Sequence, residues 1–216
     1  MRKMLMFIIM FVILVAALAQ ADSNVKALIV LPYNYGANYY LIVDEFERKG
    51  WDLTITGLYE EIPPCPAFAR PFGCPPIEVD LLISEIDDVT EYDCVLIPSS
   101  TTVGYDPCID LIENQEALAL IQNAVNANVV VGAFCTGVRV LAAADVIDGR
   151  NVTGNPNYTT EYVAAGAIFA GARVPPITDG NIVTCVRGDF FAPQNCQAIA
   201  DCVEGFQQQL QGDDDE

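Results

Sequence analysis

The chain has 216 residues, the size of one α/β domain. Its 29 acidic residues outnumber 10 basic ones, for a net charge of −19, and it holds eight cysteines but no histidine. That charge excludes the basic footprint that nucleic acid or an anionic membrane surface needs, and the missing histidine excludes a Cys–His pair within the chain and argues against zinc.

Residues 1–21 stand apart. Arg2 and Lys3 precede an uninterrupted apolar run over 4–18, and Ala17-Leu18-Ala19 and Ala19-Gln20-Ala21 are both small-x-small cleavage sites. This is the pattern of a Sec-type signal peptide cut near Ala19 or Ala21, which predicts a secreted or periplasmic protein and permits disulfides. An uncleaved anchor is the alternative, although the run is short for a full span. Removing 1–21 takes away two basic residues and no acids, so the net charge becomes −21. No other segment is apolar enough for a bilayer, so no membrane contact is expected after cleavage.

Residues 26–31, Lys-Ala-Leu-Ile-Val-Leu, form the first predicted strand. A polar, glycine-containing turn at 33–37 leads into Tyr39, Ile42, Val43 and Phe46, whose spacing is the stripe of a core-facing helix. Lys49-Gly50 caps that helix, and 51–56 alternate as a second strand. This βαβ opening predicts a parallel sheet with a right-handed crossover. The proline-rich stretch 60–77 reads as an ordered surface loop, and a Cys65–Cys74 bridge is expected to hold it.

A short strand at 79–83 and a buried one at 94–98 follow, the latter ending in the polar turn Ser99-Ser100-Thr101-Thr102. Residues 109–125 read as one helix with Leu111, Leu118, Ile121 and Val125 inward. Asn151 and Asn157 each open an N-x-T triplet that a eukaryote could glycosylate. After a brief helix at 160–165, the segments 174–178 and 181–186 flank the hairpin-type turn Asp179-Gly180. A last helix at 196–206 presents Ile199, Cys202, Val203 and Phe206 to the core, and residues 209–216 are expected to be an acidic, disordered tail. The order predicts α/β architecture: one three-layer domain around a doubly wound, mostly parallel sheet, with ligands at the strand C-terminal ends.

The chemistry points to Val129-Val130-Val131-Gly132-Ala133-Phe134-Cys135-Thr136-Gly137-Val138-Arg139. A buried strand breaks through small residues into a helix predicted over 138–144, which is an elbow with a nucleophile-type residue at its tip. Gly132 and Gly137 flank it where a Cβ would crowd the turn, and a helix start would favour a thiolate on Cys135. The alternative is a small buried cysteine in an ordinary βα unit.

In these pieces the chain resembles the ThiJ/PfpI superfamily, Parkinson-disease-protein-7-like proteins with the class I glutamine amidotransferase-like fold. The resemblance runs from Lys26 to about Phe206, within a domain set at 22–208. It rests on residues 26–31, on Phe46-Glu47-Arg48-Lys49-Gly50-Trp51, on Tyr92 through Pro98, on Ala133-Phe134-Cys135-Thr136-Gly137, on 141–152 and on 178–184. It implies that Cys135 is the reactive residue and that the Thr136 backbone N–H helps form an oxyanion pocket. Many members add a glutamate and a histidine. Here the glutamate position falls at about Asn38, beside Gly36, and the histidine position at about Asn155. Ser99 and Ser100 complete the expected pocket. Members with Cys-Thr-Gly elbows include isocyanide-hydratase-like proteins, whose acidic residue Asn38 also lacks. Family members often dimerise, so a homodimer is implied.

With glutamate and histidine both replaced, the reading favoured is a non-catalytic relative that binds a small molecule or senses oxidants through Cys135. A cysteine-dependent hydratase or a carbonyl- or amide-directed hydrolase is the alternative, with Glu161, Asp189, Tyr35, Tyr39 or water moving the proton. An inherited, purely structural elbow is a third. No metal or other cofactor is called for. Cys94 and Cys185 read as buried strand thiols, and a Cys108–Cys196 bridge is expected beside Cys65–Cys74, both narrowing the entrance above Cys135.

Overall fold

The computed structural model describes residues 25–36, 38–66, 73–99, 106–187 and 191–213. The leader expected at 1–21, Ser100, Asp189 and residues 214–216 lie outside these.

Seven strands make the central sheet. They are β1 (Lys26–Val30), β2 (Asp52–Gly57), β5 (Leu81–Leu82), β6 (Cys94–Ile97), β7 (Val130–Phe134), β10 (Ile177–Asp179) and β11 (Ile182–Cys185). Their order is β10-β11-β7-β6-β1-β2-β5, parallel throughout except for β10 on β11. Every residue of β6, β7 and β11 is buried, which is why those stretches carry continuous apolar runs rather than alternation.

Helices cover both faces. Helix α1 (Asn38–Arg48) and the last helix, α6 (Ala192–Asp213), pack on one side with Ile29, Leu96, Val130 and Ile199. Helices α2 (Ile109–Glu113), α3 (Gln115–Asn126), α4 (Val138–Ala143) and α5 (Thr159–Ala164) flank the other face, whose core holds Leu28, Val95, Leu111, Ile121, Val131 and Leu141. Helix α1 buries Tyr39, Ile42 and Phe46, the stripe its spacing predicts. It stops where Gly50 takes φ 77° and Trp51 N–H returns to the Phe46 carbonyl at 3.1 Å, stacking the two rings 4.3 Å apart. None of the described helices is long and apolar enough to cross a membrane.

Several boundaries differ from expectation for local reasons. The helix predicted over 109–125 splits at Asn114, which is extended (φ −100°, ψ 119°) and caps α3 by accepting Ala117 N–H at 2.9 Å. The strand predicted at 79–83 shrinks to β5 and a 3₁₀ turn. Residues 209–213, expected in the tail, continue α6.

The described parts of the proline-rich stretch, 60–66 and 73–77, are tied down without the expected bridge. Strands β3 (Glu61–Ile62) and β4 (Ile77–Glu78) pair antiparallel across it. Tyr35 reaches both described arms: its carbonyl accepts Cys65 N–H at 2.9 Å and its hydroxyl donates to Pro75 O at 2.6 Å. No disulfide joins the described residues, and Cys65 is buried while Cys74 is half-buried. A second ribbon, β8 (Asn151–Val152) with β9 (Ile168–Phe169), was also not expected.

Burial sets a pH limit on this packing. It pushes the Tyr39 phenol and the Cys196 thiol up to about 12, and raises Cys94, Cys185 and Tyr35 as well. The folded state holds these groups neutral. Their stabilisation is therefore complete below the unfolded values, about 8.5 for thiols and about 10 for phenols, and is lost as pH rises through the folded ones. Thermal melts followed by circular dichroism are expected to show the midpoint falling steadily above about pH 9.

Candidate functional site

Strand β7 ends at Phe134, and the chain turns at once through a 3₁₀ turn, Cys135–Gly137, into α4. Cys135 has φ 53°, in the left-handed region that costs a residue with a Cβ about 1–2 kcal/mol. Its side chain is half-buried, neither walled in nor fully open. Gly137 is what lets the bend close. A Cβ there would fall well inside contact distance of the Ile97 carbonyl oxygen at the end of β6. Gly132 sits one layer down, where a Cβ would lie 2.6 Å from Ile199 Cδ1 of α6. Because α4 has only six residues, its dipole lends Cys135 little.

The loop after β8 brings Asn155 to the sulfur. Thr153 N–H donates to Thr184 Oγ1 of β11 at 3.0 Å, which fixes the loop. Asn155 N–H then donates to the Cys135 carbonyl at 3.3 Å, and Nδ2 donates towards Cys135 Sγ at 3.7 Å. An amide there can stabilise negative charge on sulfur but cannot take up a proton.

Gly36, Asn38 and Ser99 form a second cluster at the adjacent ends of β1 and β6, where the strand order reverses. The Asn38 side chain meets Ser99 Oγ at 2.8 Å. Turned to satisfy its surroundings, it accepts that hydroxyl and donates to Gly36 O (3.3 Å) and Ser99 O (3.1 Å). These groups therefore satisfy one another.

Thr136 is buried, and Cys108 donates to its Oγ1 at 3.9 Å. This overturns the expected Cys108–Cys196 bridge. Cys108 belongs to the core on the α2–α5 side of the sheet, and Cys196 to the core beneath α1 and α6.

Three of the residues expected to move protons are engaged elsewhere or buried. Glu161 grips Arg139 through Nε (2.7 Å) and Nη2 (3.0 Å). Tyr35 donates to Pro75, and Tyr39 is buried. Arg139 also donates through Nη1 to Asp106 (2.5 Å) and Pro107 O (2.6 Å), with its guanidinium 4.2 Å from the Tyr158 ring centre. Burial opposes its charge, and the bonds to Glu161 and Asp106 outweigh that. Sequence reading passed over both this clamp and Tyr162. Tyr162 is fully buried on α5 with its hydroxyl unpaired, packed so that a Cβ on Gly154 would lie 3.1 Å from that oxygen. Burial first, then the neighbouring Cys135, pushes its phenol up.

A cavity of about 400 Å³ lies between the segments 172–176 and 186–187 and the start of α6, lined among others by Arg173, Val174, Pro176, Arg187, Phe191 and Asn195. Val186 and Arg187 follow Cys185, the last residue of β11, which pairs in register with Phe134. No carboxylate stands among the described lining residues, in a chain of 29 acids. No group of three or more metal-ligating side chains occurs among the described residues.

Exposure orders the thiols. Brief iodoacetamide treatment of the native protein is expected to label Cys135 and Cys74, while Cys94, Cys185 and Cys196 react only after unfolding, as peptide mass mapping would show. Early labelling of Cys185 would contradict the packing described.

The sequence profile of the DJ-1/PfpI family matches residues 25–192. Protein DJ-1 homolog D of Arabidopsis thaliana is 31% identical over 109 residues, 48% of this chain but only 26% of that protein. A Thermococcus kodakarensis protein named as a deglycase is 30% identical over 117 residues, 54% of this chain and 66% of its own. The matched stretch thus spans about a quarter of the first relative and just under two thirds of the second. Among solved structures, the ThiJ/PfpI domain protein of Brachyspira murdochii superposes with a TM-score of 0.71 at 19% identity, covering 85% of this chain and 99% of its own.

Proposed function

The chain belongs to the DJ-1/PfpI family, and from that premise we propose that it is an exported, non-catalytic relative in which Cys135 answers oxidants beside a small-molecule crevice. The observation that carries this is Asn155 at 3.7 Å from the Cys135 sulfur. That group donates a hydrogen bond and accepts no proton, so it suits a thiolate or a sulfenate oxygen and gives no base for hydrolysis. In the oxidant reaction the thiolate attacks a peroxide oxygen, the O–O bond breaks, and the departing hydroxide is protonated to water. The cavity under the start of α6, with Arg173 on its wall and no carboxylate among its described lining residues, suits a small anionic ligand. Export rests on residues 1–21, and pairing of two copies on the family resemblance.

A second reading, a cysteine-dependent enzyme of the isocyanide-hydratase or carbonyl- or amide-hydrolase kind, draws support from the buried, unpaired Tyr162 hydroxyl. The deglycase name of the Thermococcus relative points the same way. Two measurements on purified protein separate the readings: iodoacetamide labelling of Cys135 against pH, and turnover of methylglyoxal, an isocyanide and an amide. Labelling with no turnover is expected. Turnover that disappears in Cys135→Ala would establish the enzyme instead. N-terminal sequencing of the exported protein is expected to begin at Gln20 or Asp22.

A further inference from the structure

Cys108 stands out among the remaining thiols by its position. It caps α2 with its backbone left-handed at φ 63°, the same region Cys135 occupies. Its sulfur lies 3.9 Å from Oγ1 of Thr136, the residue that follows Cys135. The preceding residue is fixed to the elbow helix, because Arg139 of α4 donates to Pro107 O at 2.6 Å. The two thiols differ sharply in access: Cys135 is half-buried, and Cys108 is 1% exposed. A dissolved oxidant reaches the first and not the second.

We propose that Cys108 is the resolving thiol of Cys135, so that oxidation at the elbow ends in a Cys135–Cys108 disulfide. This rests on the oxidant-responsive reading of Cys135 and adds its partner. The oxidant is a peroxide. The Cys135 thiolate attacks one peroxide oxygen, the O–O bond breaks, and Cys135 becomes the sulfenic acid while the released hydroxide takes a proton to form water. The Cys108 sulfur then attacks the Cys135 sulfur. The S–O bond breaks, the oxygen leaves as water with the Cys108 proton, and the S–S bond forms. Two thiols and one peroxide thus give one disulfide and two waters, with two electrons passing to the peroxide. A dithiol reductant returns both thiols. The bond requires the 106–108 segment to close on the elbow, since a disulfide holds its Cα atoms about 4.4–6.8 Å apart.

Hydrogen peroxide added to the full-length, purified protein, followed by intact mass and non-reducing peptide mapping, tests this. Wild type is expected to lose two hydrogens and yield a Cys135–Cys108 linked peptide that dithiothreitol cleaves. Cys108→Ser is expected to gain one oxygen and then two on Cys135, reaching the sulfinic acid at least about tenfold faster than wild type. Cys108→Ala, compared by thermal melt, guards against a folding defect in the serine variant. Oxygen accumulating on Cys135 at equal rates in wild type and variant, or a link to Cys74 or to a second chain, overturns the proposal while leaving Cys135 responsive. A Cys135 inert to peroxide removes the proposal together with the reading beneath it.

Discussion

Gly137→Ala is expected to lose about 3 kcal/mol of stability or more and to displace Cys135 from its left-handed geometry. The added methyl meets the Ile97 carbonyl oxygen, a backbone atom of a strand buried on both faces, which has no rotamer to change. Gly132→Ala is the control. Its methyl meets Ile199 Cδ1, the far end of a side chain that can rotate, so about 1 kcal/mol is expected. Urea unfolding compares the two, and iodoacetamide labelling of Cys135 reports on the elbow. Equal losses in both variants would mean that the approach of β6 to the elbow does not limit the turn.

The second large effect belongs to Arg139. Arg139→Met deletes four hydrogen bonds and a ring contact at a side chain only 6% exposed. The carboxylates it leaves, Asp106 and Glu161, are about half-exposed and can rehydrate, so the cost expected is about 2–3 kcal/mol rather than the full cost of breaking a buried pair. Removing the other side is worse. Asp106→Asn with Glu161→Gln strands a buried guanidinium without a counter-charge, and about 3–5 kcal/mol is expected. Chemical denaturation orders the three proteins. If the double variant is the more stable, the clamp is held by packing against Tyr158 and not by charge.

Much of this architecture was legible because its signals are strong and local. Apolar runs at 27–31, 94–98 and 129–134, rich in β-branched residues and bounded by turn signals, read as strands of a sheet covered on both faces. The elbow was legible because glycines bracket a cysteine where a strand meets a helix. The two-residue strands β3, β4, β8 and β9 carry no periodicity, and Asn114 broke a helix because its side chain had a nearby N–H to cap, which apolar spacing does not register. The Cys108–Cys196 pairing was misread for a different reason. Which side of a sheet a loop residue reaches is decided by tertiary packing, and Cys108 and Cys196 reach opposite sides. Arg139 is a cation in an apolar helix and Tyr162 a lone aromatic; neither type signals in one dimension what partners, or lack of them, it will find.

The separation of the cysteines by the sheet has a consequence for biogenesis. Cys94, Cys185, Cys196 and Cys202 become unreachable only once α1 and α6 have docked. If the chain is exported as proposed, delivery in an unfolded state into an oxidising space would offer every sulfur to cross-linking at once. On that proposal collapse would have to outrun catalysed thiol oxidation, and a slow-docking variant of α6 would be lost to scrambled covalent species before its equilibrium stability mattered.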